Sequence, residues 1–126
     1  MNEVDYFKKI ISEKIKHGSE DSVTEFKVNN TEPEMIGEYI SALSNSATLI
    51  DKDYAYVIWG IDDESKNVQG TNFYPHKTKK GNEELLNWLH RMIKPSLSFS
   101  FHNVEYEEKK LSSINYTQGY SPPHIF

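Results

Sequence analysis

Residues 54–61, YAYVIWGI, form the most apolar run in the chain and constrain its fold more than any other segment. Aromatic and β-branched side chains dominate it, which is strand composition, and its apolarity places the strand centrally in a sheet. The polar stretch 62–67 (DDESKN) reads as hairpin material leading into a further strand at 68–73 (VQGTNF).

The flanking segments supply the layers such a strand needs. Residues 3–16 carry Val4, Phe7, Ile10, Ile11 and Ile15 at three-to-four spacing, the pattern of an amphipathic helix, stopped by His17 and Gly18. Residues 23–28 have strand character. Alternation sets Thr24, Phe26 and Val28 on one face and Val23, Glu25 and Lys27 on the other. Asn29 and Asn30 make a turn, and Thr31, Glu32, Pro33 and Glu34 read as a helix start. The helix that follows turns Met35, Ile36, Tyr39, Ile40 and Leu43 inward and ends in a run of small residues; residues 51–53 then turn the chain. After a basic loop at 74–82, residues 83–93 predict a second amphipathic helix, with Leu85, Leu86, Leu89, Met92 and Ile93 inward and a stop at Lys94 and Pro95. Leu97, Phe99 and Phe101 alternate into a strand that continues through Val104 and Tyr106. A charged turn at 107–110 (EEKK) returns the chain as a strand at 111–116, and residues 119–123 are loop. The class expected from this order is α+β: a single mixed or mainly antiparallel sheet with two amphipathic helices packed on it, plus an N-terminal helix.

At 126 residues the chain is one domain's length, and 37% apolar, 26% charged and 13% aromatic residues describe an ordered globular chain. The absence of cysteine rules out disulfides and thiolate metal sites and makes a cytoplasmic location the expectation. The acidic, interrupted N-terminus argues against a signal peptide. No segment approaches the roughly 20 apolar residues of a membrane span. The net charge of −5 argues mildly against nucleic-acid binding, but it is unevenly spread. Residues 1–63 hold six lysines against thirteen acids, and residues 64–126 hold eight basic residues against six acids. Lys77, Lys79 and Lys80 cluster in the basic loop, followed by Arg91 and Lys94.

Familiar catalytic signatures are missing. No phosphate-binding glycine-lysine loop or dinucleotide fingerprint occurs, the serines lack a nucleophile-elbow context, and no two of the five histidines share the spacing of a zinc-binding helix. What remains is acidic. Glu20, Glu25 and Asp63 converge if the strand at 23–28 pairs beside the strand at 54–61. Three carboxylates and one lysine, Lys27, are what a metal-dependent phosphodiesterase needs: hard oxygen ligands hold Mg²⁺ or Mn²⁺, and the lysine orients the nucleophile or neutralises the leaving group. The alternative is structural. Glu25 and Lys27 then form an exposed charge pair on an edge strand, worth under about 1 kcal/mol and blocking edge-to-edge pairing.

Taken jointly, EDSVTEFK at 20–27, ISALSNS at 40–46 and YVIWGIDDESKNVQGT at 56–71 resemble the AlbA-type Schlafen core domain. That family's pattern runs E-S-x-x-x-E-F-K, I-S-A-F-A-N-T-x-G-G, then a hydrophobic strand ending G-V-D-D and a following V-x-G. The blocks cover roughly residues 20–73, and the second helix with its following strands fits in order. The resemblance implies an N-terminal helix at 1–18 and an AlbA-like domain at 19–126. It implies a DNA- or RNA-binding module of a bacterial transcriptional regulator, and the basic cluster then offers the phosphate contacts: Lys77, Lys79, Lys80, Arg91 and Lys94, with Lys27 nearby. Some animal members instead cleave RNA, and their three metal-binding acids fall on Glu20, Glu25 and Asp63. Two such units grip the substrate there, so a single unit implies a homodimer. A pure dimerisation or interaction module is the third reading. Two departures stand out: the double glycine is replaced by a longer turn at 46–53, and the chain stops about where the family adds one more strand.

Overall fold

The computed structural model describes residues 3–16, 24–29, 31–49, 54–93 and 99–117. Glu20, Val23, Lys94 and Leu97 lie outside the described residues, as do the expected stops at 17–18 and 94–95, the turn at 51–53 and the loop at 119–123.

Strand β2, Tyr54–Trp59, takes the inner position that its composition predicts. It pairs in parallel with β1, Thr24–Lys27, and antiparallel with β6, Lys109–Thr117; β5, Phe99–Tyr106, completes the order β1-β2-β6-β5. Ala55, Tyr56, Val57, Ile58 and Trp59 are all buried, so the sheet is covered on both faces. Helices α2, Pro33–Leu49, and α3, Leu85–Met92, cover one face, where Ala55, Val57 and Trp59 meet Ile36, Ile40, Leu43, Leu85 and Leu89. Helix α1, Glu3–Lys16, covers the other, where Phe7 and Ile11 pack with Phe26, Tyr56 and Ile58. Each fully buried Ile, Leu or Phe contributes about 1.5–3 kcal/mol, which is why a strand with no polar side bears both layers.

Small residues give α2 its close seat. Ser41, Ser44 and Ala47 are buried in the half of the helix nearest its C-terminus, and the helix runs on through Leu49, so residues 46–49 are helical and not part of the turn expected at 46–53. The Ser44 hydroxyl donates to the Ser41 carbonyl oxygen at 3.1 Å, which satisfies it within the helix.

The α+β class holds, with three further departures from expectation. First, the sheet is not single: β3, Lys79–Lys80, and β4, Glu83–Glu84, form a two-residue antiparallel ribbon. Its register sets Lys79 opposite Glu84 and Lys80 opposite Glu83, and this backbone pairing holds residues 83–84 extended, so α3 begins at Leu85. Second, residues 68–73 form no strand; only the Ile61–Val68 bridge is made. Third, Met92 is exposed, whereas Trp88 is buried on the inward stripe with Leu85 and Leu89. The helix ends at Met92, and Ile93, in extended conformation, fills the core position instead.

The β5–β6 hairpin closes with Tyr106 opposite Lys109, so Glu107 and Glu108 are the two turn residues, at φ 50° and 64°. Positive φ at both central positions is the type I′ arrangement, which favours asparagine followed by glycine, and here two glutamates occupy it. The double substitution E107N/E108G is therefore expected to raise stability by about 1 kcal/mol, read as a higher urea midpoint.

Candidate functional site

The ends of β1 and β2 are tied together at Gly60. Its N–H donates to the Lys27 carbonyl at 2.7 Å, and its own carbonyl accepts from the N–H groups of Gln69 at 2.8 Å and Gly70 at 2.9 Å. Gly60 has φ +107°, and a Cβ there would lie 2.5 Å from Leu111 Cδ2 and 3.1 Å from the Gly70 backbone. Only glycine fits such a place. Gly70, at φ +83°, passes beside Lys109, and the next N–H, of Thr71, donates to the Lys110 carbonyl at 2.8 Å. The glutamate-phenylalanine-lysine strand, the GIDD segment and the VQG segment therefore meet at one backbone junction. That junction bends residues 69–74 across the β5–β6 hairpin instead of along β2.

The two aspartates after Gly60 play different parts. Asp62 Oδ1 accepts from the N–H of Ser65 at 2.8 Å, the N–H of Glu64 at 3.0 Å and the Ser65 hydroxyl at 3.1 Å. These bonds, the Ser65 N–H first, hold its carboxyl below the usual aspartate range. A folded-state value below the unfolded one stabilises above about pH 4 and is lost as pH falls through the folded value. Asp62→Ala is therefore expected to lower the urea midpoint at pH 7, with the gap to the parent narrowing toward pH 3. A gap that does not change with pH would contradict this. Asp63, by contrast, is exposed, and its backbone carbonyl, not its carboxylate, accepts from Lys66 Nζ.

Glu25 and Lys27 share the α2 face of edge strand β1, in register with Val57 and Trp59. Their charged groups are 4.0 Å apart, and Lys27 Nζ lies 4.8 Å from the centre of the Tyr39 ring on α2. The turn bearing Asp63 reaches toward the α1 face, where Lys66 Nζ sits 5.5 Å from the Phe26 ring. Among the described residues, no group of three His, Asp or Glu side chains gathers to hold a metal ion. Glu25 and Asp63 alone do not make up the donor set, and Glu20 is not among the described residues.

A different set of residues does converge. An open groove of about 960 Å³ runs between Val28, Asn29 and Thr31, the crossing segment 69–74 and the tip of the β5–β6 hairpin. Lys77, Lys109 and Lys110 line it, together with Asn29, Thr31 and the exposed Tyr74. Lys77 Nζ stands 5.1 Å from the Tyr74 ring centre. Of the acids among the described residues, Glu108 alone lines the groove.

The other predicted cations are placed differently. Lys80 donates to Glu34 and lies 5.9 Å from the Trp88 ring, and Lys79 is exposed on the ribbon. Arg91 grips Glu83 through two hydrogen bonds, at 2.7 and 3.3 Å. The guanidinium lowers the Glu83 carboxyl, Lys80 lowers that of Glu34, and Glu83 raises the guanidinium in turn. Lys27 lies outside the groove lining. Sequence reasoning missed Lys109 and Lys110, which it assigned to a charged turn. No local signal marks them, because they join the groove through the bond between Thr71 and Lys110, far apart in the chain.

No helix among the described residues is long and apolar enough to cross a membrane. No curated protein matches the chain. The family model described as Schlafen, AlbA_2 matches residues 20–126, which take in the whole four-stranded sheet, the Gly60 junction and the lysine groove. On a match of that extent, the chain belongs to the Schlafen AlbA_2 family.

Proposed function

We propose that this domain binds DNA or RNA, chiefly through the phosphate backbone, along the groove bordered by Lys77, Lys109 and Lys110. The observation that carries the reading is the gathering of three lysines, from two distant segments, on one concave surface of a chain whose net charge is −5. The amides and hydroxyls around them suit phosphate and sugar contacts as well. Three lysines set against Glu108 make a modest positive field, so the expected affinity is that of non-specific binding, with Kd roughly 10⁻⁴–10⁻⁶ M near physiological salt. Lys80 and Arg91 are already committed to Glu34 and Glu83, and Lys79 is exposed on the ribbon outside the groove lining. In a bacterial transcriptional regulator acting in the cytoplasm, such a domain supplies backbone affinity, and a homodimer doubles the contacts. Filter retention of labelled DNA and RNA at about 50 mM salt tests it: retention that falls steeply by about 200 mM supports the proposal, and none at low salt removes it.

One observation favours a second reading, metal-dependent cleavage. Asp62 accepts three hydrogen bonds, while the neighbouring Asp63 carboxylate is exposed and accepts none among the described residues. Glu20, Glu25 and Asp63 would hold Mg²⁺ or Mn²⁺, which supplies an activated water, and Lys27 would neutralise charge on the phosphate. Incubation of labelled tRNA and single-stranded DNA with Mn²⁺ decides it: cleavage lost in Glu25→Ala supports the reading, and equal outcomes in parent and variant end it.

A further inference from the structure

The crossing segment 71–74 has a second side. There it roofs a recess of about 340 Å³ against β5, and Lys110 lines both this recess and the lysine groove. The recess is bounded by Phe73 and Tyr74 on one wall and by Asn103 and Glu105 on the other. Phe73 is held edge-on against the buried Trp59, with ring centres 4.8 Å apart, so this wall is rigid. Tyr74 is 44% exposed at the mouth. Asn103 is half-buried, yet neither its amide nor the Glu105 carboxylate has a hydrogen-bond partner among the described residues.

We propose that this recess takes one unpaired nucleobase of a single strand whose phosphates run over the adjoining lysine groove. The inference rests on the nucleic-acid reading and adds to it the strandedness of the ligand and a site for a base. Three features support it. The volume is at the small end of the roughly 300–1,000 Å³ of ligand pockets, room for one planar ring system rather than for a duplex. Aromatic walls suit the face of a base, whatever its identity. The unengaged amide offers a donor and an acceptor, and the carboxylate accepts from a ring or exocyclic N–H, so both address the edge that a paired base has already used. Lys110, shared by the two cavities, places a cation where the backbone must pass from one to the other.

Fluorescence anisotropy of the full chain at low salt tests this, using a labelled oligonucleotide of about 12 nucleotides as single strand and as duplex. The single strand is expected to bind at least about tenfold more tightly, the usual scale of one base–aromatic contact. Asn103→Ala and Glu105→Gln are each expected to bring the ratio of the two affinities down toward one; Glu105 is exposed, so its variant tests the site even if Asn103→Ala perturbs the fold. Equal binding of single strand and duplex by the parent, or a preference that neither variant alters, would overturn the recess assignment while leaving the backbone reading in place. Binding of neither ligand would overturn both.

Discussion

Gly60→Ala is expected to destabilise the domain by about 3–5 kcal/mol, a large part of the 5–15 kcal/mol that typical domains possess. Two separate costs add. A residue with a Cβ at φ +107° carries backbone strain of roughly 1–3 kcal/mol. The new methyl also meets Leu111 Cδ2 at 2.5 Å and the Gly70 backbone at 3.1 Å, and overpacking of a buried place costs roughly another 1–3 kcal/mol. Leu111 is buried and Gly70 is held by its bond to Gly60, so relief must come from moving residues 69–71. Gly70→Ala is the milder comparison: its Cβ meets nothing nearer than 3.5 Å, leaving only the backbone strain. Urea unfolding followed by the fluorescence of the two tryptophans measures both. A loss under about 1 kcal/mol for Gly60→Ala would mean that the junction is not rigid.

Reversing the groove charges, K77E/K109E/K110E, is expected to lower affinity for nucleic acid by about a hundredfold or more at low salt, because three phosphate contacts become repulsive. All three side chains are exposed, so the urea midpoint should change little, which separates this variant from Gly60→Ala. Lys80→Ala and Arg91→Ala are expected to cost less than about threefold, because each cation already faces its own acid in an exposed pair. The reverse ranking, with Lys80 and Arg91 dominant, would move the interface to the ribbon and α3.

Much of the fold was legible where burial is written in local pattern. The apolar run at 54–61 announced an inner strand, the spacing from Met35 to Leu43 a helix, and the alternation at 99–106 a strand turning back at Glu107. The misreadings share a cause: the deciding contact is remote. Residues 68–73 alternate like a strand, but Gly60 and Gly70 redirect them across the hairpin. Residues 83–84 look helical until Lys79 and Lys80 pair with them, and Met92 looks inward until the helix ends and Ile93 replaces it. At the site, positive charge could be counted but not its partners. The Glu34–Lys80 pair joins residues 46 positions apart, and the groove itself needs the crossing of 71 over 110.

The salt dependence of nucleic-acid binding tests the central claim most directly. Three lysines engaging phosphates predict that log Kobs falls linearly against log salt with a slope of about −2 to −3, and that the slope is abolished in K77E/K109E/K110E. A slope near zero, or one unchanged by those substitutions, would contradict the assignment of the groove as the backbone-binding surface.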